Sequence, residues 1–244
     1  MATPLRPPIR DLLRRLREFD SALLANALDY TDRGSVAESY LSGDIQSVTP
    51  AVGPAVGVAY TIEIDSSTPE GEASNRAPYL ELLEQIEAAD EPAVVIIKPV
   101  GSRPDHECVA GDGIAKALHT VGCVGIVTDG RVRDVEAMQA VPFSVHARGR
   151  CVHHCAFRFI KTGAPAEIGG LTIHPGDVIH AGADGVLRLP RAHLEALADT
   201  APKVATAEAM SHAIWRSIEL SVAEKAKRAA QVYKDLGLVS AKHG

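Results

Sequence analysis

The sequence predicts an α/β protein built in layers with helical ends. Three features lead there: compact apolar runs alternating with helical spacing in the middle of the chain, short apolar runs cut by Gly and Pro after it, and apolar residues recurring every three or four positions at both ends.

In chain order, Leu12, Leu13, Leu16, Phe19, Leu23, Ala27 and Leu28 predict one helix over 9–30 with a single buried face. Residues 55–64, preceded by Gly53-Pro54 and rich in β-branched side chains, predict a strand. After a loop of Ser, Pro, Glu and Gly, Tyr79, Leu80, Leu82, Leu83 and Ile86 predict a helix ending near Asp90. AVVIIKPV then reads as a strand buried on both faces. A short helix over 114–120, a buried strand over 124–128 and a helical turn or two over 135–140 complete βαβ units, whose chemistry belongs at strand ends. Short strands follow at 143–147, 157–162, 171–173, 178–181 and 186–189, separated by Gly and Pro turns such as PGD at 175–177. From Arg191, Leu194, Leu197, Val204, Ala207, Ile214, Ile218 and Val222 sustain helical spacing almost to Leu236 and predict two terminal helices.

The chain has 244 residues, 46% of them hydrophobic and 23% charged, with a net charge of -6, which excludes disordered, collagenous and membrane-spanning classes. That length buries a core without disulfide or metal staples. With no internal repeat or flexible linker, a single domain over 1–244 is expected, with a core over about 15–190 and a helical extension over 191–244. A pI near 5.9 and no long basic run argue against nucleic acid as a partner and for small molecules or protein surfaces. The charged N-terminus has no apolar stretch of the kind a leader needs, and no apolar run approaches a membrane span, so a cytoplasmic protein with no membrane partner is expected. Cys108, Cys123, Cys151 and Cys155 are too few and too irregular for a disulfide framework and are expected as thiols.

The most informative stretch is GDGIAKALHTVGCVGIVTDGRVRDVEAM, residues 111–138. Its first glycine turn places the N–H groups of Gly111, Asp112, Gly113 and Ile114 at a helix N-terminus, where free donors and the helix dipole favour a carboxylate or phosphate. Its second turn presents Arg133, a planar fork for a carboxylate, next to Asp134, a hard oxygen donor for a divalent cation. With both turns at one crevice, these are the parts needed to hold and polarise a 2-oxo acid. Each turn by itself also fits plain helix capping, with Asp112 as N-cap and Arg133–Asp134 as a surface ion pair; the glycine and strand context favours the site.

Other patterns carry less. CVHHC, residues 151–155, packs two Cys and two His too closely for all four to meet one tetrahedral zinc, and reads as a loop with soft side chains. His106 and Glu107 stand within reach of the anion turn, although a solvated loop is the plainer expectation. His119 and His146 read as packing or surface residues. Lys116 at the third glycine position excludes a dinucleotide fingerprint, Arg131 after Gly130 excludes a Walker loop, and no Gly-x-Ser-x-Gly elbow occurs.

GDGIAKAL, VGCVGIVTDGRVRDV, FSVHARG and IHPGDVIHAGADGVLRLP resemble the RraA-like proteins, which include 4-hydroxy-4-methyl-2-oxoglutarate / 4-carboxy-4-hydroxy-2-oxoadipate aldolases and the regulator of ribonuclease E activity A. The likeness covers about residues 15–190, and the family motif of Asp, twenty residues, Arg-Asp falls on Asp112, Arg133 and Asp134. It implies a swivelling β/β/α layered domain assembled as a homotrimer or homohexamer, with sites at subunit interfaces. It further implies a class II pyruvate aldolase site in which Asp134 binds Mg2+ or Mn2+ directly and Arg133 binds the substrate carboxylate and keto oxygen. In that site Asp112 acts through metal-held water, and the backbone of Gly111, Asp112, Gly113 and Ile114 cradles the pyruvyl carboxylate. An acidic residue from a neighbouring subunit completes such metal shells, and Glu208 is the candidate. The implied reaction is metal-dependent cleavage of 4-hydroxy-2-oxo acids to pyruvate, with oxaloacetate decarboxylation through the same enolate. The alternatives are a non-enzymatic regulator that covers a protein partner, or a lyase or hydratase for another 2-oxo acid. The sequence departs from the family at Gly113, where a larger residue is common, in the loop VGSRPDHECVA, and in a long segment after Thr200.

Overall fold

The computed structural model describes residues 9–31, 36–70 and 75–238. Residues 1–8, 32–35, 71–74 and 239–244 lie outside them, and with them the start of the charged N-terminal segment, part of the Ser/Pro/Glu/Gly loop and the end of the helical extension.

The first helix is not continuous as predicted: it is two, α1 (Ile9–Leu16) and α2 (Ser21–Thr31). Asp20 causes the break. Its Oδ1 accepts the Leu23 N–H at 2.6 Å, a capping bond that restarts the helix. The preceding Phe19 carbonyl turns inward and accepts from the buried ring of His180 at 3.0 Å.

The sheet strands are β1 (Gln46–Ser47), β2 (Ala55–Asp65), β3 (Ala93–Pro99), β4 (Cys108–Ala110), β5 (Cys123–Thr128), β6 (Arg131–Val132), β7 (Ser144–Ala147), β8 (Arg158–Thr162), β9 (Ala166–Ile168), β10 (Leu171–Ile173), β11 (Val178–Gly182) and β12 (Gly185–Leu189). Helices α3 (Ala77–Ala89), α4 (Asp112–Thr120) and α5 (Val135–Gln139) lie between the parallel strands, and α6 (Leu194–Arg216) and α7 (Val222–Asp235) end the chain. The main sheet runs β1-β7-β5-β3-β2-β11-β12, with β8 also paired to β2. Strands β2, β3, β5 and β7 are parallel to one another, while β8 and β11 join β2 antiparallel.

Alternation along β3 sets the layers. Val95 and Ile97 pack with Leu82 and Ile86 of α3, Ala115 and Leu118 of α4 and Met138 of α5. Val94 and Ile96, one residue out of phase, pack with Ala166, Ile168 and Ile173 of the β9–β10 hairpin. Helices, sheet and hairpin therefore make the expected β/β/α arrangement. A third cluster joins α1 and α2 to α6 through Leu12, Leu13, Leu16, Leu24, Leu194 and Leu197. Pro202 lies inside α6 and has no N–H for the Ala198 carbonyl. Arg15 of α1 supplies that donor at 2.9 Å and also pairs with Asp199 at 2.6 Å. Among the described residues, no helix is long and apolar enough to cross a membrane.

Candidate active site at two glycine turns

The two glycine turns meet because β4 and β6 pair in parallel, Cys108 opposite Arg131 and Ala110 opposite Val132. The Arg133 N–H donates to the Ala110 carbonyl at 3.0 Å and extends this short ladder to the mouth of α4. Gly111, at the end of β4, thereby sits against the Arg133-Asp134 pair. A Cβ on Gly111 would come within 2.6 Å of Asp134 Oδ2 and 3.2 Å of Arg133 Cγ, so only glycine permits the observed approach.

The first turn is corrected in one respect. Asp112 is the first residue of α4, and Gly111 is its N-cap, with extended backbone (φ -140°, ψ -169°) and its carbonyl accepting the Ala115 N–H at 3.1 Å. Asp112 is thus freed from capping, and its Oδ2 instead takes the Lys116 ammonium one helical turn on, at 2.6 Å. That hydrogen bond and charge hold its carboxyl below the ordinary aspartate range.

Asp134 is the N-cap of α5 by position only. Its backbone is left-handed (φ 55°, ψ 34°), rare for a residue with a Cβ, and its side chain makes no capping bond. The carboxylate lies 3.3 Å from Arg133 Nε, with the two side chains 39% and 35% exposed, so the pair is reachable by a ligand without being fully solvated. Arg133 Nη1 also donates to His153 Nδ1 at 3.2 Å.

Gly111, Asp112, Gly113, Ile114, Arg133 and Asp134 all line one cleft of about 540 Å³, so every residue of the two turns singled out from sequence is brought together there. Arg76, Tyr79, His154, Phe157 and Phe159 line it as well, and sequence reading missed them. One signal was present: Phe157 and Phe159 stand two apart in extended chain, a spacing that points both rings to one face.

Other residues go elsewhere. Glu107, expected in a solvated loop within reach of substrate, is fully buried; its Oε1 accepts the Ser66 N–H at 2.8 Å and its carbonyl accepts the Arg131 N–H at 2.7 Å. Glu107 therefore supports the second turn from below, while His106 remains exposed in a short 3-10 turn. The CVHHC side chains fan out: His153 to Arg133, His154 to the Cys155 carbonyl, and the Cys155 thiol to the Ser67 carbonyl. His146 is buried and donates to the Gly182 carbonyl at 2.7 Å, and His119 packs edge-on to Phe143. Glu208 lies on α6, where Oε1 accepts from Asn26 of α2 at 2.9 Å, and it does not line the cleft of its own chain. Among the described residues, no group of three or more His, Cys, Asp or Glu is arranged to hold a metal ion.

A family model described as RraA-like, Aldolase/RraA, matches residues 21–188. A Halalkalibacterium halodurans protein provisionally named a 4-hydroxy-4-methyl-2-oxoglutarate aldolase is 28% identical over 199 residues, 79% of this chain and 83% of that protein. Legionella pneumophila protein DlpA is 29% identical over 191 residues, 76% of this chain but 28% of that longer protein. Among solved structures, Streptomyces coelicolor RraAS2, described as an unusual member of the RNase ES inhibitor RraA family, superposes with a TM-score of 0.64 at 23% identity, covering 86% of this chain and 99% of that one. An uncharacterized Pseudomonas syringae pv. tomato protein superposes with a TM-score of 0.68 at 21% identity, covering 93% and 99%. These two share the fold, and the family model spans most of the sheet and both turns of the cleft: the chain belongs to the RraA-like family.

Proposed function

We propose that the cleft is an enolate-forming site, and that the protein is a divalent-metal-dependent carbon–carbon lyase that releases pyruvate from 4-hydroxy-2-oxo acids and decarboxylates oxaloacetate. The observation that carries this reading is the convergence of Arg133, Asp134 and the amide end of α4 on one cleft, with Gly111 pared down to let them approach. The aldolase name of the Halalkalibacterium relative agrees with it.

The donors suit the chemistry. The N–H groups at the start of α4 have no acceptor within the helix and suit a carboxylate. Arg133 lies beside that carboxylate with its guanidinium steadied by Asp134 and His153, and stabilises negative charge as it gathers on the 2-oxo oxygen. Asp134 offers a hard oxygen that would hold Mg2+ or Mn2+ directly, and Asp112 would act on such an ion through water. Such an ion, when bound, supplies Lewis acidity at the 2-oxo group. Asp112, kept ionised by Lys116, orients a water toward the 4-hydroxyl, whose proton must leave in the aldol case. A further acidic ligand would come from a neighbouring subunit in a homotrimer or homohexamer, and Glu208 is our assignment for it.

A second reading, a regulator that covers a protein partner, is favoured by one observation: Trp215, Ile218 and Val222 at the α6–α7 turn are 46%, 98% and 72% exposed. Pyruvate release from oxaloacetate and from 4-hydroxy-4-methyl-2-oxoglutarate, coupled to lactate dehydrogenase with and without Mg2+, decides between them. Metal-dependent release that disappears in Asp134→Ala supports the lyase. No release from either compound, with capture of ribonuclease E by the intact protein, supports the regulator. Release with unchanged Mg2+ dependence in Asp134→Ala refutes Asp134 as the ligand.

A further inference from the structure

We infer that the cleft takes 2-oxo acids whose far end is an aromatic ring or a group of similar flat, apolar bulk, an inference that rests on the enolate-forming reading above and narrows its substrate class. The carrying observation is an unbroken series of rings leading away from the guanidinium. His153 accepts from Arg133 at 3.2 Å and lies 4.9 Å from His154, centroid to centroid. His154 meets Phe157 edge-on at 4.7 Å, Phe157 lies 5.5 Å from Phe159, and Phe159 stacks on Tyr79 at 4.8 Å and 19°. The chain has only four Phe, and two of them line this cleft with their rings part-exposed. Their location is therefore not a by-product of an aromatic-rich sequence.

Partly wet rings beside an anion site favour a ligand that covers them. A phenyl group laid on Phe157 and Phe159 gains apolar transfer and the ring–ring term together. A small tail ending in a second carboxylate leaves the rings wet, and among the described residues lining the cleft beyond Arg133 it meets Arg76, an exposed side chain, and His154, whose Nδ1 is already bonded to the Cys155 carbonyl; an exposed ion pair gains little. The cleft has a volume of about 540 Å³, which holds a substrate carrying one ring. A Cβ on Gly113, at its polar end, would meet nothing within 4 Å, so the space there is open.

For 4-hydroxy-2-oxo-4-phenylbutanoate the step balances without an oxidant or reductant. The C3–C4 bond breaks with its electron pair passing to the pyruvate enolate, the 4-hydroxyl loses its proton, C4 becomes the carbonyl carbon of benzaldehyde, and the enolate takes a proton at C3.

The test compares kcat/KM for pyruvate release from that compound and from its 4-methyl analogue, alongside calorimetric binding of phenylpyruvate and of pyruvate. We expect at least a tenfold preference for the phenyl compound in both assays. In Phe157→Ala that preference should fall several-fold, and in Phe157→Leu it should be partly kept; thermal unfolding of each variant confirms that it is folded. Equal binding of phenylpyruvate and pyruvate, with oxaloacetate still decarboxylated, overturns the aromatic-tail inference and leaves the lyase reading standing. Tight phenylpyruvate binding with no pyruvate released from any compound supports the tail site and overturns the lyase reading. Neither binding nor release overturns both.

Discussion

Replacing Gly111 with alanine should damage activity far more than stability. The backbone at this position is extended, a conformation alanine adopts freely, so the substitution carries no conformational penalty. Its whole effect is steric. The new methyl would stand 2.6 Å from Asp134 Oδ2 and 3.2 Å from Arg133 Cγ, whereas a relaxed carbon–oxygen contact is roughly 3.3 Å. The carboxylate must therefore retreat by about 0.7 Å, and because it is the far end of a side chain 39% exposed to the cleft, it can do so. We expect a stability change of about 0.5 kcal/mol or less. A displacement approaching 1 Å in a positioning group lowers kcat/KM by about 10²-fold, or about 2.7 kcal/mol of transition-state stabilisation. Coupled pyruvate release from oxaloacetate and thermal unfolding, run on the same preparation, separate the two effects. A variant with the wild-type rate and the wild-type Tm would refute the argument, since Asp134 would then act from any position. A rate loss matched by a comparable loss of stability would place Gly111 in packing alone.

Arg133→Lys should lose at least tenfold in kcat/KM, because an ammonium cannot hold a carboxylate, Asp134 and His153 with one planar fork; a wild-type rate would reduce Arg133 to a helix cap. Stability should fall as pH drops from 6.5 toward 4. Burial depresses the folded-state pKa of His180 from 6.5 to about 4, with Nε2 donating to Phe19 O and Nδ1 accepting from Ser21. The unfolded chain therefore takes up a proton in this window that the folded chain refuses, which removes about 3 kcal/mol in total. Urea titrations of His180→Gln should show a shallower slope there, the remainder coming from buried His146, which burial shifts in the same direction; an unaltered slope would assign the acid sensitivity elsewhere. Arg15→Met should cost about 1 kcal/mol by leaving the Ala198 carbonyl without a donor. Pro202→Ala in that background should restore most of it by supplying the missing helical N–H, and strict additivity of the two changes in a double-mutant cycle would contradict the coupling.

What was legible in the sequence was whatever repeats. The compact apolar run AVVIIKPV and the spacing of Leu82 and Ile86 depend on burial over many residues, and those elements formed close to where they were read. The turns at Gly111 and Arg133 were legible because glycine beside a helix start has a backbone meaning of its own. Two kinds of feature were not. Strands β4 and β6 span three and two residues, too short for any period, yet their pairing is what joins the two turns. Contacts between distant side chains leave no local trace either: Tyr79 was visible as a helix residue and Phe159 as a strand residue, but not as a stack. Glu107 misled for the opposite reason. A glutamate in a polar loop predicts exposure, and only the fold shows the Ser66 amide waiting for it.

The bond from Arg15 to the Ala198 carbonyl has a consequence for how the chain matures. β2 offers Val56 and Val58 to α1 early, but α6, which completes the cover over Leu12, Leu13 and Leu16, comes much later: Arg15 and Ala198 lie 183 residues apart. Until then part of the apolar face of α1 stays uncovered. A chain cut short before α6 should therefore leave Leu12, Leu13 and Leu16 partly open, and partial translation products should be caught by chaperones through α1. The cover of α1 is thus completed only when α6 is in place, so the two helices depend on each other across most of the described chain.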